Sequence, residues 1–279
     1  MGQRREEKGK RRSGLGPLLL TLLVLPPLLG LASAYAPGLL QVVSSRALPS
    51  EEPFYDAVRD NMARANREQI RYGYKERRTD IHTNPFGRLG TGDVLLYDVT
   101  PGPSPSVTFR TLLTKNGQPV PNSKPEKQER KVRTEGPSAV DDTVAALQFS
   151  IDRREIAHGR DVIIVRFEPR PNAKPQTREG KMARMFNGLI WVDESAREVT
   201  KVEATAGEDL SYGFGLLAKV RKGSVVTLTR ERIDEHVWLP TSVKFKADGR
   251  ALFAIRKLNI DFAVEWFDYR RVSPATVSP

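Results

Sequence analysis

ALFAIRKLNIDFAVEWFDYR, residues 251–270, decides the architecture. Leu252, Ala254, Leu258, Ile260, Phe262, Val264 and Trp266 share one parity, with Arg256 the one interruption, while Asn259, Asp261 and Glu265 fall between them. Side chains with a period of two stand on opposite sides of a β-strand, so this segment has one apolar and one wet face. The segment before it behaves alike: Val243 and Phe245 alternate with Lys244 and Lys246, ahead of an expected Asp248-Gly249 turn. Further back, MFNGLIWVDESAREVTKVEA at 185–204 reads as a hairpin, two apolar runs joined by the polar corner 193–197.

The same grammar extends over most of the chain. Strands are expected at 70–75, 94–99, 107–114, 147–157, 161–168, 186–193, 198–206, 216–222, 224–233, 237–247 and 251–270, with turns at Asn116-Gly117 and His158-Gly159. Many short strands with turn signals and few helices argue for an antiparallel β protein. One amphipathic helix is clear: Ser50-Glu51-Glu52-Pro53 has the form of a helix start, and Phe54, Val58, Met62 and Ala65 follow at helical spacing. Helix is also considered near 124–135, as the alternative to an exposed loop, and at 138–146. A sheet with one apolar face must be covered, and this is too little helix to cover it flat. The expected fold class is therefore mainly β, a curved antiparallel sheet forming a half-open, unclosed β-barrel with a few covering helices.

The leader and composition bound the setting. A basic stretch at 4–12, a leucine-rich segment from Leu15 to Leu31 and the small residues Ala32-Ser33-Ala34 have the form of a secretory signal peptide cut after Ala34. Pro26, Pro27 and the glycines leave less than the roughly 20 apolar residues that a retained membrane anchor prefers. The expected organisation is a signal peptide at 1–34, a linker at 35–49, one β domain at 50–272 and a polar tail at 273–279. There is no cysteine, which excludes disulfides, thiolate metal sites and a lipid-modified cysteine anchor. The net charge of +11 includes six Lys/Arg and two acids in the leader, leaving +7 on the mature chain. That balance suits an anionic membrane surface, and export makes nucleic acid a poor expectation.

The series FNGLIWVD at 186–193, VWLP at 237–240, Gly249-Arg250 and DYRR at 268–271, with NGQPVP at 116–121, resembles the bacterial outer-membrane lipoprotein-sorting (LolA/LolB-like) superfamily over roughly 50–271. The resemblance implies an incomplete barrel in the periplasm whose concave apolar face takes up acyl chains of lipoproteins or another lipid, without catalysis. It carries over no individual ligand residue.

Chemical signals are weak beside it. His82, His158 and His236 each sit beside a turn or loop residue, without a second histidine at metal-ligand spacing. No nucleophile elbow, phosphate loop, zinc-protease or dinucleotide motif occurs, so neither an enzyme nor a cofactor is expected. Glu51-Glu52 and Asp141-Asp142 lie at expected helix starts, where carboxylates complement the helix dipole. Arg153-Arg154 and Arg270-Arg271 read as solvated strand arginines. Trp191, Trp238 and Trp266 are core residues first and ligand-facing second. The candidate hydrophobic wall is Trp191, Val243, Phe245, Ile260, Phe262 and Trp266. The alternative function is a periplasmic regulator or envelope-complex interaction module, with Lys127, Arg130 and Lys131 as its contact patch and an envelope protein as partner.

Overall fold

The computed structural model describes residues 46–84, 87–88, 93–129, 139–212, 218–251 and 256–272. The expected signal peptide, the linker up to residue 45 and the tail 273–279 lie outside them. Among the described residues three helices, α1 (Glu51–Gln69), α2 (Ala139–Ala146) and α3 (Arg178–Ala183), accompany fifteen strands. These are β1 (Tyr72–Asn84), β2 (Gly87–Arg88), β3 (Val94–Pro101), β4 (Val107–Lys115), β5 (Gln118–Pro119), β6 (Glu126–Glu129), β7 (Leu147–Ala157) and β8 (Arg160–Pro169). There follow β9 (Phe186–Asp193), β10 (Glu198–Ala206), β11 (Leu210–Tyr212), β12 (Ala218–Val220), β13 (Val225–Asp234), β14 (Val237–Ala251) and β15 (Arg256–Arg271). No helix among the described residues is long and apolar enough to cross a membrane.

All fifteen belong to one antiparallel sheet whose main path is β5-β4-β3-β1-β15-β14-β13-β10-β9-β8-β7, with β2 on β1, β6 on β4 and the β11–β12 pair on β14 off that path, and the sheet does not close into a barrel. The first long strand and the last are hydrogen-bonded neighbours in its middle. Two expected details change. Residues 126–129 form a strand on β4 rather than a helix or loop, and their side chains are exposed. The expected Asp248-Gly249 turn is strand: Asp248 pairs with Asn259 and Gly249 with Leu258, because the alternation begun at Val243 continues through both residues. Leu252 and Ala254 lie outside the described residues.

Register divides the sheet into two faces. Ile190, Val202, Leu228, Val243 and Val264 stand opposite one another across five strands, and all are buried. This is the inner face. It carries α1, whose Phe54, Val58, Met62 and Ala65 are the buried stripe, as their spacing predicts. Each large apolar side chain so covered contributes roughly 1.5–3 kcal/mol. Asn61 Nδ2 on α1 donates to the carbonyls of Ala196 (2.9 Å) and Arg197 (3.1 Å), tying the helix to the β9–β10 corner. Ser50 occupies the N-cap position but its hydroxyl makes no capping bond. Glu51 instead accepts from the Ile151 amide at 2.8 Å.

The opposite, outer row runs Trp191, Lys201, Thr229, Ser242, Glu265 and Arg77. On β8, however, Val162, Ile163, Ile164 and Val165 are all buried, which is why that run shows no alternation. The tight β4–β5 and β7–β8 connections are Asn116-Gly117 and His158-Gly159, each with two positive φ angles, the geometry of a two-residue type I′ hairpin. At the sheet's margin, α2 and α3 pack on each other. The Asp142 carboxylate accepts from the Thr177 amide and hydroxyl, both at 2.6 Å. Gly180 closes this contact, since a Cβ there would lie 2.5 Å from Asp142 Oδ2.

Candidate functional site

Of the candidate wall, Val243, Phe245, Phe262 and Trp266 come together on the inner face of β14 and β15, with Phe245 directly opposite Phe262. All four belong to the buried core that α1 covers. Ile260 takes the register position opposite Ala247, and its side chain lies outside the described ones. Trp191 does not join them. It stands on the outer row opposite Lys201, whose Nζ lies 4.3 Å from its ring centroid. Trp238 is buried, with the Arg160 guanidinium 5.6 Å from its ring. Of the candidate patch, Lys127 is on exposed β6, 3.1 Å from Glu129, whereas Arg130 and Lys131 lie outside the described residues.

Beyond β15 the inner face changes character. The apolar row continues onto β1 at Arg78, opposite Val264, and the neighbouring position opposite Trp266 is Glu76. Glu76 is fully buried, 0% exposed. One of its oxygens accepts from Arg78 Nε at 2.6 Å; the other accepts from Arg110 Nη2 at 3.0 Å and Trp266 Nε1 at 3.1 Å. Burying a carboxylate at this depth requires such partners. Past it, Leu95, Tyr97 and Leu112 face the same side and are only half-buried: Tyr97 is opposite Glu76, Leu95 opposite Arg78, and Leu112 opposite Tyr97. The inner face is thus core beneath α1 and a mixed apolar and cationic wall over β1, β3 and β4.

A bulge shapes the boundary. Asp268 has a positive φ of 51° and is the extra residue of β15 against β1, which returns Tyr269 to the inner side. Its ring lies 6.4 Å from Tyr72 and 5.4 Å from Tyr74, and its hydroxyl donates to the Pro240 carbonyl at 2.6 Å. Burial pushes the phenols of Tyr74 and Tyr269 above their ordinary range, so both stay neutral.

Two further ion clusters are structural. Arg154, expected to be solvated, is buried: its Nε and Nη2 each meet Glu194 at 2.7 Å, and its Nη2 also donates to the Ala47 carbonyl at 2.8 Å. Arg46 reaches Glu194 and Asp161, so residues 46–47 are bound to the domain. The neighbouring Arg153 is half-buried and pairs with Asp152 and Glu155. The hydrogen bonds from Arg154, then the nearby positive charges, hold the Glu194 carboxyl below its usual range. A depressed carboxylate stabilises the fold above its unfolded pKa, and the contribution disappears as pH falls through the folded value. Glu194→Gln is therefore expected to lower stability at pH 7, and its deficit against the parent should shrink on acidification below the ordinary carboxylate range. Urea melts at several pH values check this.

The outer face holds an open groove of about 670 Å³ lined by Arg77, Thr229, Ser242, Lys244, Glu265 and Phe267, among others. Its charges are mixed, and Arg77 is already paired with Glu265 at 3.0 Å. His158 and His236 are exposed turn residues, and the His82 side chain lies outside the described ones. Among the described residues no group of three or more His, Asp or Glu could hold a metal ion.

Sequence reasoning missed Glu76, Arg78 and Arg110. The signal was present: Tyr72 and Tyr74 set an inward parity, and Glu76 and Arg78 continue it.

No family model matches the chain, and no curated protein matches it. Among solved structures it is similar to an outer-membrane lipoprotein-sorting protein domain from Vibrio parahaemolyticus, with 12% identity, TM-score 0.37, and coverage of 80% of this chain and 93% of that one. It is also similar to a LolA superfamily protein from Nitrosomonas europaea, at 13% identity and TM-score 0.32, covering 77% and 93% of the two chains. A DUF1329 family protein from Desulfovibrio piger is similar at 11% identity and TM-score 0.30, covering 81% and 94%.

Proposed function

We propose that this is an exported, non-catalytic protein of the periplasm that binds an acyl chain, of a lipoprotein or another lipid, along the inner face of its sheet. The observation that carries the reading is the half-buried apolar wall of Leu95, Tyr97 and Leu112, which continues the core surface past the helix that covers it. Val243, Phe245, Phe262 and Trp266 are filled core under α1, so a chain reaches them from the wall when α1 gives way, with Ile260 at a register position on the same strand.

Magnitudes favour a carrier over a store. Burying about 14 methylenes at roughly 0.8 kcal/mol each gives on the order of 11 kcal/mol. Association costs about 4–15 kcal/mol. The net affinity is modest and the ligand can leave.

Native mass spectrometry of the purified protein after incubation with a synthetic palmitoylated lipopeptide tests this. A one-to-one adduct is expected, weakened at least tenfold in Leu112→Glu. A parent protein that emerges without adduct at lipopeptide concentrations well above micromolar overturns the reading.

An interaction module acting through Lys127, Arg130 and Lys131 is the second reading, favoured by the exposed, fully polar β6 at the sheet margin. It expects a stoichiometric protein partner that is lost on reversing those three charges and kept when Leu112 is changed.

A further inference from the structure

Glu76 is a poor choice for a purely structural residue in the middle of an oily sheet. A leucine there would continue the apolar row without a buried charge. What the carboxylate does is hold two guanidinium groups and the Trp266 indole in one place, and it does not satisfy them. Its two oxygens take three donors, while Arg110 Nε is buried with no acceptor. Nearly all buried donors in folded proteins find a partner, so this orphan leaves the Arg110 guanidinium under-satisfied by Glu76. The charge count agrees: Arg78 and Arg110 against Glu76 leave one positive charge in excess. Glu126, opposite Arg110 in register, is the nearby acid on that face, but it is exposed and screened by water.

The cations are not sealed. The side chains of Arg78 and Arg110 remain 18% and 16% exposed. They border the half-buried wall: Leu95 lies opposite Arg78, and the Arg110 guanidinium is 6.0 Å from the Tyr97 ring centroid. An apolar strip that ends on a surplus cation is complementary to a molecule with a tail and one negative charge.

We propose that the inner face binds a single-chain amphiphile with a carboxylate head, a long-chain fatty acid. The head accepts from Arg110, Glu76 and Arg78 act as positioning residues, and the tail lies along Leu95, Tyr97 and Leu112. The proposal rests on the acyl-binding reading and narrows it to the ligand's head. A single carboxylate supplies the one negative charge that balances the cluster and an acceptor for the part of the Arg110 guanidinium that stays accessible.

The test is titration of the full protein with dodecanoate, methyl dodecanoate and dodecyl phosphate, read by tryptophan fluorescence and by calorimetry. Dodecanoate is expected to bind at least tenfold more tightly than its methyl ester. Arg110→Leu should reduce that preference to about one, and Arg110→Lys should restore part of it. Glu76→Gln, which sets an amide NH2 against one of the donors that Glu76 now holds and so disturbs the placement of the cations, should lower the acid-over-ester preference; it provides the test if Arg110→Leu does not fold. Acid and ester bound equally by the parent protein would overturn the head assignment and leave acyl binding standing. A tenfold preference for dodecyl phosphate would overturn the carboxylate. Failure of all three to bind would remove the acyl-chain reading as well.

Discussion

Replacing Arg230 by methionine is expected to destabilise the fold by about 3–5 kcal/mol, the cost of breaking a buried pair from one side. Arg230 donates to Glu198 at 3.2 Å and to the carbonyls of Val199 (3.0 Å) and Trp238 (2.7 Å), so it joins β10, β13 and β14 through one side chain. Its loss strands a carboxylate that is itself buried and whose second oxygen has no hydrogen-bond partner, with only Arg64 of α1 as a cation 3.8 Å away. Replacing both members, Arg230→Met with Glu198→Leu, should restore most of the loss, because apolar groups of similar volume need no partner. Burial, partly offset by Arg230, already raises the Glu198 carboxyl above its ordinary value. A raised carboxylate favours the fold at low pH and loses that contribution as pH rises through the folded value. The single variant raises it further, so its deficit should grow once pH passes the parent's own raised folded value and continue toward that of the variant. Denaturant melts at pH 4.5 and pH 7 measure both statements; a single variant within about 1 kcal/mol of the parent at pH 7 would show that the pair is not buried in solution.

Truncating Phe54 to alanine should cost a similar amount, about 3–5 kcal/mol. Phe54 is the most buried residue of the α1 stripe, 2% exposed, and the Arg197 guanidinium lies 4.9 Å from its ring centroid. The size of the effect decides what α1 is. A helix that forms part of the core transmits the whole cavity cost to global stability. A helix that rests on a finished sheet and lifts away would give less than about 1 kcal/mol in a global melt, together with faster amide exchange confined to residues 51–69.

Much of this fold could be read from residue order because period two is a local signal. The β15 alternation from Leu258 to Trp266 sets inner and outer faces without knowledge of any neighbour, and the α1 stripe is equally local. Tertiary events were not legible in the same way. The bulge at Asp268 breaks the parity just after Trp266 and turns Tyr269 inward, a consequence of pairing with β1 rather than of composition. Trp191 shows the limit within one strand: its hydrophobicity suggested the inner wall, but its parity with the outer row required knowing which of Ile190 and Trp191 faces α1. The polar cluster was hidden for a different reason. Glu76, Arg78 and Arg110 look like ordinary surface charges until β1 is known to lie beside β15, and nothing in the intervening chain announces that pairing.

That pairing sets the order in which the molecule can be completed. Glu76 and Trp266 are 190 positions apart, so the seam at the centre of the sheet joins the segments whose encounter closes the largest loop. Such contacts come late and slow a chain's folding. Until they form, β1 with its neighbours β3 and β4 is a separate patch, and β15, paired with β14 on one side alone, presents a bare edge of unpaired amides and carbonyls able to recruit a second copy. A chain stopped before residue 256 would lack β15 and leave β1 and β14 bare permanently, two sticky margins in place of one sealed strand.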